Sequence, residues 1–212
     1  MTANITTTAP VRLGDAITTR PRRVTRWPQP AAPGIQVYAP TLVPGPLQVY
    51  GYRAAVRTYP LAGECGHFEA DLPSGIPAAF VLEESVLHHQ VGGPDVMSAQ
   101  ISHLLKLLNP ETDVPGVSVA VIPLQSARTV RQLPMEPFAI TNGGMVILPV
   151  APIPVLIDRR DQVHRYSAAF LRLRQAALTG HVAHQYLARR LHTPTPLDNH
   201  PDGIAGAYAG TG

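Results

Sequence analysis

The sequence predicts an α+β domain: a mixed sheet of about four or five strands, a crossover helix, and a C-terminal helical pair covering one face. Three patterns indicate this class. A strand-like run, a helix and a second strand-like run follow one another between residues 78 and 122, a hairpin signal stands at Asn142-Gly143-Gly144, and helical periodicity returns near residue 160. The first pattern favours a right-handed crossover between parallel strands, whereas the hairpin adds antiparallel ones.

The first element of the domain is a short extended piece, IQVY, followed by a turn at Pro44-Gly45. A helix is predicted to begin near Pro46, because proline is tolerated in a first helical turn. Its predicted buried face consists of Leu47, Tyr50 and Ala54.

The segment DVMSAQISHLLKLL, residues 95–108, is the clearest helix and supplies the crossover. Its apolar side chains recur three and four positions apart, which is the helical period. They are Met97, Ile101, Leu104, Leu105 and Leu108. The flanking runs AAFVLEES and VSVAVIPL are rich in residues typical of buried strands.

The C-terminal helical pair begins near Arg160, and its two helices are separated at Gly180. The predicted buried face of the first helix consists of Val163, Tyr166, Phe170, Leu173 and Ala177. Its opposite face carries Arg165, Arg172 and Arg174, which fit either a solvated surface or a site for an acidic partner. The second helix, HVAHQYLARRLH, ends before Pro194.

Domain boundaries follow from composition. Residues 1–34 are predicted to be a flexible basic arm, residues 35–192 one domain, and residues 193–212 a flexible tail, because both ends are rich in proline or small polar residues. In the arm five arginines face a single acid, Asp15; they are Arg12, Arg20, Arg22, Arg23 and Arg26. The net charge of +3 is too small to diagnose nucleic-acid binding.

Several function classes lack their motifs. The single cysteine, Cys65, excludes an internal disulfide framework and fits a reducing cytoplasm. We expect a soluble cytoplasmic protein without a membrane span. The chain has no phosphate-cradling glycine loop and no Gly-X-Ser-X-Gly elbow, and its histidine spacings match no zinc signature. We therefore assign neither a cofactor nor a metal.

The stretch ESVLHHQVGGP, residues 84–94, holds the main chemical candidates. It lies between the end of a strand and the start of the crossover helix, where sheet-edge clefts form. The side chains of Glu83 and Glu84 should diverge, because adjacent strand residues point to opposite faces. No catalytic residue is assigned, but if the protein is an enzyme its candidates are His88, His89, His67, Cys65 and Glu83.

The order of blocks resembles a known domain. The blocks are YAPTLVPGPLQVYGYRAAV, FVLEESVLHHQVGGPDVMSAQISHLLKLL, VSVAVIPL, EPFAI and VHRYSAAFLRLRQAAL. They are similar to the effector domain that follows the helix-turn-helix in actinobacterial WhiJ-like, antitoxin-like transcriptional regulators. Residues 35–192 carry the resemblance, whereas residues 1–34 are too short and proline-rich for the helix-turn-helix.

The resemblance implies a stand-alone regulatory or sensor domain that binds a small toxin-like protein or a small-molecule ligand and does not by itself bind DNA sequence-specifically. A homodimer is a compatible assembly. The implied binding residues are Gln48, Tyr52, Glu83, His88, His89, Gln100, Phe138 and Tyr166. Where the family has basic residues after Glu-X-X-Leu, this chain has His88 and His89. The alternative is an enzyme of an actinobacterial specialised-metabolite pathway with a histidine-lined cleft.

Overall fold

The computed structural model describes residues 34–58, 76–109, 116–132, 136–141, 144–149 and 154–191. Within these ranges the chain forms an α+β fold with one mixed sheet of seven strands and four α-helices, so the predicted class is confirmed. The strands are β1 (Ile35–Ala39), β2 (Ala78–Glu83), β3 (Val117–Ile122), β4 (Phe138–Thr141), β5 (Met145–Leu148), β6 (Val155–Ile157) and β7 (Leu178–Thr179). The helices are α1 (Tyr50–Arg57), α2 (Pro94–Leu108), α3 (Arg160–Ala176) and α4 (Gly180–Leu191). Apart from Gly34, the predicted arm and tail lie outside the described residues.

The strands are arranged in the order β6-β5-β4-β1-β2-β3-β7. β1, β2 and β3 are parallel neighbours, and α1 and α2 lie between them in the chain. On the β1 side β4, β5 and β6 add an antiparallel meander, and on the β3 side β7 pairs antiparallel. The predicted crossover through α2 and the predicted hairpin of β4 and β5 are both confirmed.

The predicted number of strands, four or five, is too low. The sequence did not reveal β6, which has three residues and follows a proline-rich stretch, or β7, which has two residues between helices. Neither is long enough to display the two-residue alternation that identifies a strand. β6 is a strand because it pairs with β5, and β7 is a strand because it pairs with β3.

Helices cover both faces of the sheet. One core cluster contains Tyr52 of α1, Met97 of α2 and Leu187 of α4, and the other contains Phe170 of α3 together with Tyr38 of β1. The prediction that the C-terminal helical pair covers one face is therefore wrong. The reason is β7, which pairs along the sheet edge between α3 and α4 and carries the chain to the other face.

The first helix differs from its prediction. A short 3-10 turn occupies Gly45–Leu47, and α1 begins later, at Tyr50, because the backbone between them is extended. This break resets the helical register. Leu47 is buried as predicted, but Tyr50 and Ala54 are exposed, and α1 instead buries Tyr52 and Val56.

The other two predicted helix faces are confirmed in their main residues. α2 buries Met97, Leu104 and Leu108, and α3 buries Phe170 and Leu173.

The approach of α1 to α2 depends on Gly92, which precedes α2. Its φ is +72°, and a Cβ there would lie 2.8 Å from the Cβ of Ala55. Glycine is required by both the backbone conformation and the space.

Candidate functional site

The carboxyl ends of β1, β2 and β3 meet at one edge of the sheet because the three strands are parallel. The loops that follow them, residues 40–49, 84–93 and 123–129, are joined by side-chain hydrogen bonds. The Ser85 hydroxyl donates to the carbonyl of Pro40 (2.9 Å), and the Leu124 N–H donates to Oε2 of Glu84 (2.8 Å). This edge also carries the histidine pair, as its sequence position predicts.

Glu83 and Glu84 diverge to opposite faces of the sheet, as expected, and both are buried. Oε1 of Glu83 accepts hydrogen bonds from the Tyr38 hydroxyl (2.8 Å) and from the Arg128 guanidinium (2.8 Å). Oε2 of Glu84 accepts from the Tyr186 hydroxyl of α4 (2.6 Å) as well as from Leu124. Glu84 therefore connects the sheet edge to α4, and Glu83 connects β1 to the loop after β3.

The guanidinium of Arg128 links several parts of the loop after β3. Its ion pair with Glu83 is buried, with the two side chains 8% and 3% exposed. Its Nε donates to the Ser126 hydroxyl (3.1 Å), and it also donates to the carbonyl of Gln132 (3.3 Å). The loop is consequently ordered around a buried charge pair.

The histidines lie at the surface of this edge. Nε2 of His88 is 3.4 Å from Oε1 of the buried Glu84, and the His88 side chain is 42% exposed. Nδ1 of His89 donates to the carbonyl of Thr41 (2.9 Å), so its other ring nitrogen faces away from that bond. Both imidazoles are thus oriented by the loops beneath them and remain accessible to a partner molecule.

An aromatic row extends from this edge on the α3 side. The ring of Phe138 lies 5.6 Å from that of Tyr38 and 5.1 Å from that of Tyr166, measured between centroids. The Tyr166 hydroxyl donates to the Glu136 carboxylate (2.8 Å). Burial raises the pKa of Tyr166 well above its ordinary value, and the hydrogen bond and charge of Glu136 raise it further. Tyr166 is therefore a neutral donor.

Three predicted binding residues, Gln48, Tyr52 and Gln100, lie in the interior between α1, α2 and the loop after β1. Nε2 of Gln48 donates to the carbonyl of Val43 (2.7 Å), whose N–H donates to the Tyr52 hydroxyl (3.2 Å). Burial raises the pKa of Tyr52, and the Val43 N–H opposes that rise.

Gln100 completes the same arrangement from α2. Its Oε1 accepts from the N–H of Val49 (2.8 Å), and its Nε2 donates to the carbonyl of Leu47 (2.7 Å). In this structure the amides of Gln48 and Gln100 hold the backbone of the loop in place.

The predicted site residues therefore fall into three groups. His88 and His89 share the surface of the sheet edge. Buried Glu83 and Phe138 and half-buried Tyr166 form a row on the α3 side, and the two glutamines with Tyr52 form the interior loop support. Tyr38 joins Glu83 to Phe138. Cys65 and His67 lie outside the described residues, and the role of each candidate stays a prediction.

Arg128 and Tyr186, which bind the two glutamates, were not predicted from the sequence. Helical spacing in the sequence could have identified Tyr186. It follows the buried Ala183 by three positions and directly precedes the buried Leu187, which places it beside the buried face of α4. No local pattern marks Arg128, since its partner lies 45 residues away.

We name the exposed part of this edge the carboxyl-end surface and define it by Thr41, His88, His89 and Leu124. Leu124 contributes an apolar side chain that is 50% exposed. In the part of the chain that the structure describes, no three His, Cys, Asp or Glu side chains are grouped to hold a metal ion. No helix in those same ranges is long and apolar enough to span a bilayer.

Comparison with known families gives one match. The model of DUF5753, described as a domain of unknown function, covers residues 69–189, which is more than half of the chain and includes β2, α2, β3 and the C-terminal helices. Neither the curated proteins nor the solved structures gave a match. The chain belongs to the DUF5753 family.

Proposed function

We propose that this chain is a regulatory domain that binds a small protein partner through its carboxyl-end surface. The proposal extends the resemblance to the effector domains of WhiJ-like, antitoxin-like regulators, whose small toxin-like companions are partners of this kind. In this proposal another protein supplies any sequence-specific DNA contacts.

One observation carries the proposal: accessible imidazole and apolar side chains lie on loops that buried hydrogen bonds hold in place. Glu84 binds the Leu124 backbone beneath the surface, and the Thr41 carbonyl orients His89. A surface ordered before binding loses less conformational entropy when a partner docks. Aromatic and apolar groups rimmed by polar ones are typical of the centres of protein interfaces.

The state of Glu83 also favours binding over catalysis. Its carboxylate is 2% exposed and already accepts from Arg128 and Tyr38. A general base must reach the proton that it abstracts, either directly or through one water. In this geometry Glu83 supports the loop, and the accessible groups are the neighbouring histidines.

Replacing Leu124 by glutamine is expected to weaken binding of a small toxin-like protein partner by about tenfold or more, because it removes an exposed apolar contact from the surface. Isothermal titration calorimetry at physiological salt measures the affinity. The matched control is Leu171→Gln, since Leu171 is also exposed, at 58%, but lies on α3. Equal weakening by both substitutions, or by neither, contradicts the proposed surface.

The proposed lack of DNA reading has its own test. An electrophoretic shift assay with a random pool of duplexes is expected to give only salt-sensitive, sequence-independent binding, through the arginines that precede the domain. Tight, sequence-selective DNA binding at physiological salt would overturn the proposal that the chain does not read DNA itself.

A second function, an enzyme of a specialised-metabolite pathway, is favoured by one contact, the 3.4 Å approach of His88 to the Glu84 carboxylate. A carboxylate that orients an imidazole is a common arrangement for a general base. Under this alternative His88→Gln would lower the catalytic rate by on the order of 10²-fold. A purely binding domain would show no catalytic turnover in either the wild type or the variant.

A further inference from the structure

A cleft lies at the end of the parallel strands opposite the carboxyl-end surface. It consists of two adjoining cavities of about 380 Å³ and about 210 Å³ that share Ala79, Val117, Ser118 and Arg174 in their walls. The larger volume alone is in the range of small-molecule sites. None of the sequence-predicted binding residues lines either cavity.

The floor of the cleft is a row across three strands. Gln36 of β1 pairs with Ala79 of β2, which pairs with Ser118 of β3, so the three side chains stand side by side on the face that α3 covers. The next row on this face, which begins with Tyr38, is buried, whereas Gln36 and Ala79 are half-buried and Ser118 is exposed. α3 therefore covers the row that begins with Tyr38 but does not fully cover the row of Gln36, Ala79 and Ser118.

The cleft is also open along the outer edge of β3. β7 pairs with β3 only at Ala120 and Val121, so within the described ranges the preceding residues of β3 have no strand partner on that side. Thr179 and Gly180 line the smaller cavity where α4 begins. This incomplete pairing creates the space between the sheet edge and the ends of α2 and α3.

The described walls of the cleft carry a positive charge. Arg174 is the single charged side chain among the described residues that line either cavity, and none of the ion pairs described in this structure involves it. The neutral polar groups around it are those of Gln36, Asn109, Ser118 and Thr179. A guanidinium offers a planar fork of donors that matches a carboxylate or a phosphate.

We propose that this cleft binds a small organic anion whose carboxylate or phosphate pairs with Arg174. Its apolar body lies on Ala79, and its polar substituents reach Gln36 and Ser118. The site is distinct from the carboxyl-end surface and goes beyond the proposed partner binding. Each can fail in experiment without affecting the other.

The test is a titration of the ¹⁵N-labelled full chain, followed by amide shift changes at physiological salt. Benzoate and phenyl phosphate are the anionic probes, and benzamide is the neutral probe of the same shape as benzoate. Saturable amide shifts at Ala79 and Ser118 are expected for at least one anion at millimolar concentrations. Benzamide is expected to bind about tenfold more weakly, or weaker still. The stronger of the two anions identifies the class of ligand.

Variants separate a built site from general attraction to a basic surface. Arg174→Gln is expected to weaken binding of the tighter-binding anion by about tenfold or more. Arg165 is an exposed arginine of α3 that lines neither cavity, so Arg165→Gln should change the affinity by less than about twofold. The proposal is overturned if neither anion gives saturable shifts, if Arg174→Gln binds like the wild type, or if both variants weaken binding equally.

Discussion

Replacement of Glu83 by alanine is expected to lower the free energy of unfolding by about 3–5 kcal/mol, because removing one partner of a buried ion pair leaves the other charge uncompensated. The Arg128 side chain is 8% exposed and would lose its carboxylate partner, and the Tyr38 hydroxyl would lose its acceptor. Urea unfolding followed by circular dichroism at neutral pH measures the change.

The matched control is an exposed ion pair of the same chain. Arg159 and Asp161 lie 3.2 Å apart with side chains 59% and 54% exposed, and Asp161→Ala should cost no more than about 1 kcal/mol because water screens the pair. If Glu83→Ala were as mild as this control, the buried pair would not hold the loop after β3, and the ordered surface that we describe would lose its support.

Glu84→Ala is the second large effect, expected on the order of 2–4 kcal/mol, because it leaves two donors without an acceptor. These donors are the Tyr186 hydroxyl and the Leu124 N–H. Since Tyr186 belongs to α4, amide exchange in α4 should accelerate more than exchange in α3. The same variant should weaken partner binding, because Leu124 is part of the carboxyl-end surface.

Tyr186→Phe separates the two hydrogen bonds of Glu84. It removes one donor but leaves the Leu124 contact, so a loss of about 1 kcal/mol is expected, with partner binding little changed. Should Tyr186→Phe prove as costly as Glu84→Ala, the bond between the Tyr186 hydroxyl and the carboxylate would account for the whole effect, and the Leu124 N–H bond would contribute little.

The parts of the fold that the sequence revealed are those with a local signal. The helical spacing of Met97, Leu104 and Leu108 predicted α2, and the Asn-Gly-Gly turn predicted the hairpin. The two faces covered by α3 and α4 could not be predicted, because two residues of β7 redirect the chain and their pairing with β3 is a tertiary contact.

The candidate site divides in the same way. The position of the histidines at a strand exit and the divergence of Glu83 from Glu84 follow from local geometry, and the structure confirms both. The partners of these glutamates cannot be predicted from local geometry, since Tyr186 lies 102 residues from Glu84 in the chain. Helical periodicity likewise cannot show that Gln100 is buried to bind the backbone of a distant loop.

The proposal that the carboxyl-end surface is the partner site is tested most directly by amide hydrogen exchange of the wild-type chain alone and with a small toxin-like protein partner. We predict slower exchange in the complex at the loops after β1, β2 and β3, in peptides that contain Thr41, His89 and Leu124, and no change on the outer side of α3. Protection of α3 without protection of these loops, or no complex at micromolar concentrations of the two proteins, would contradict the claim.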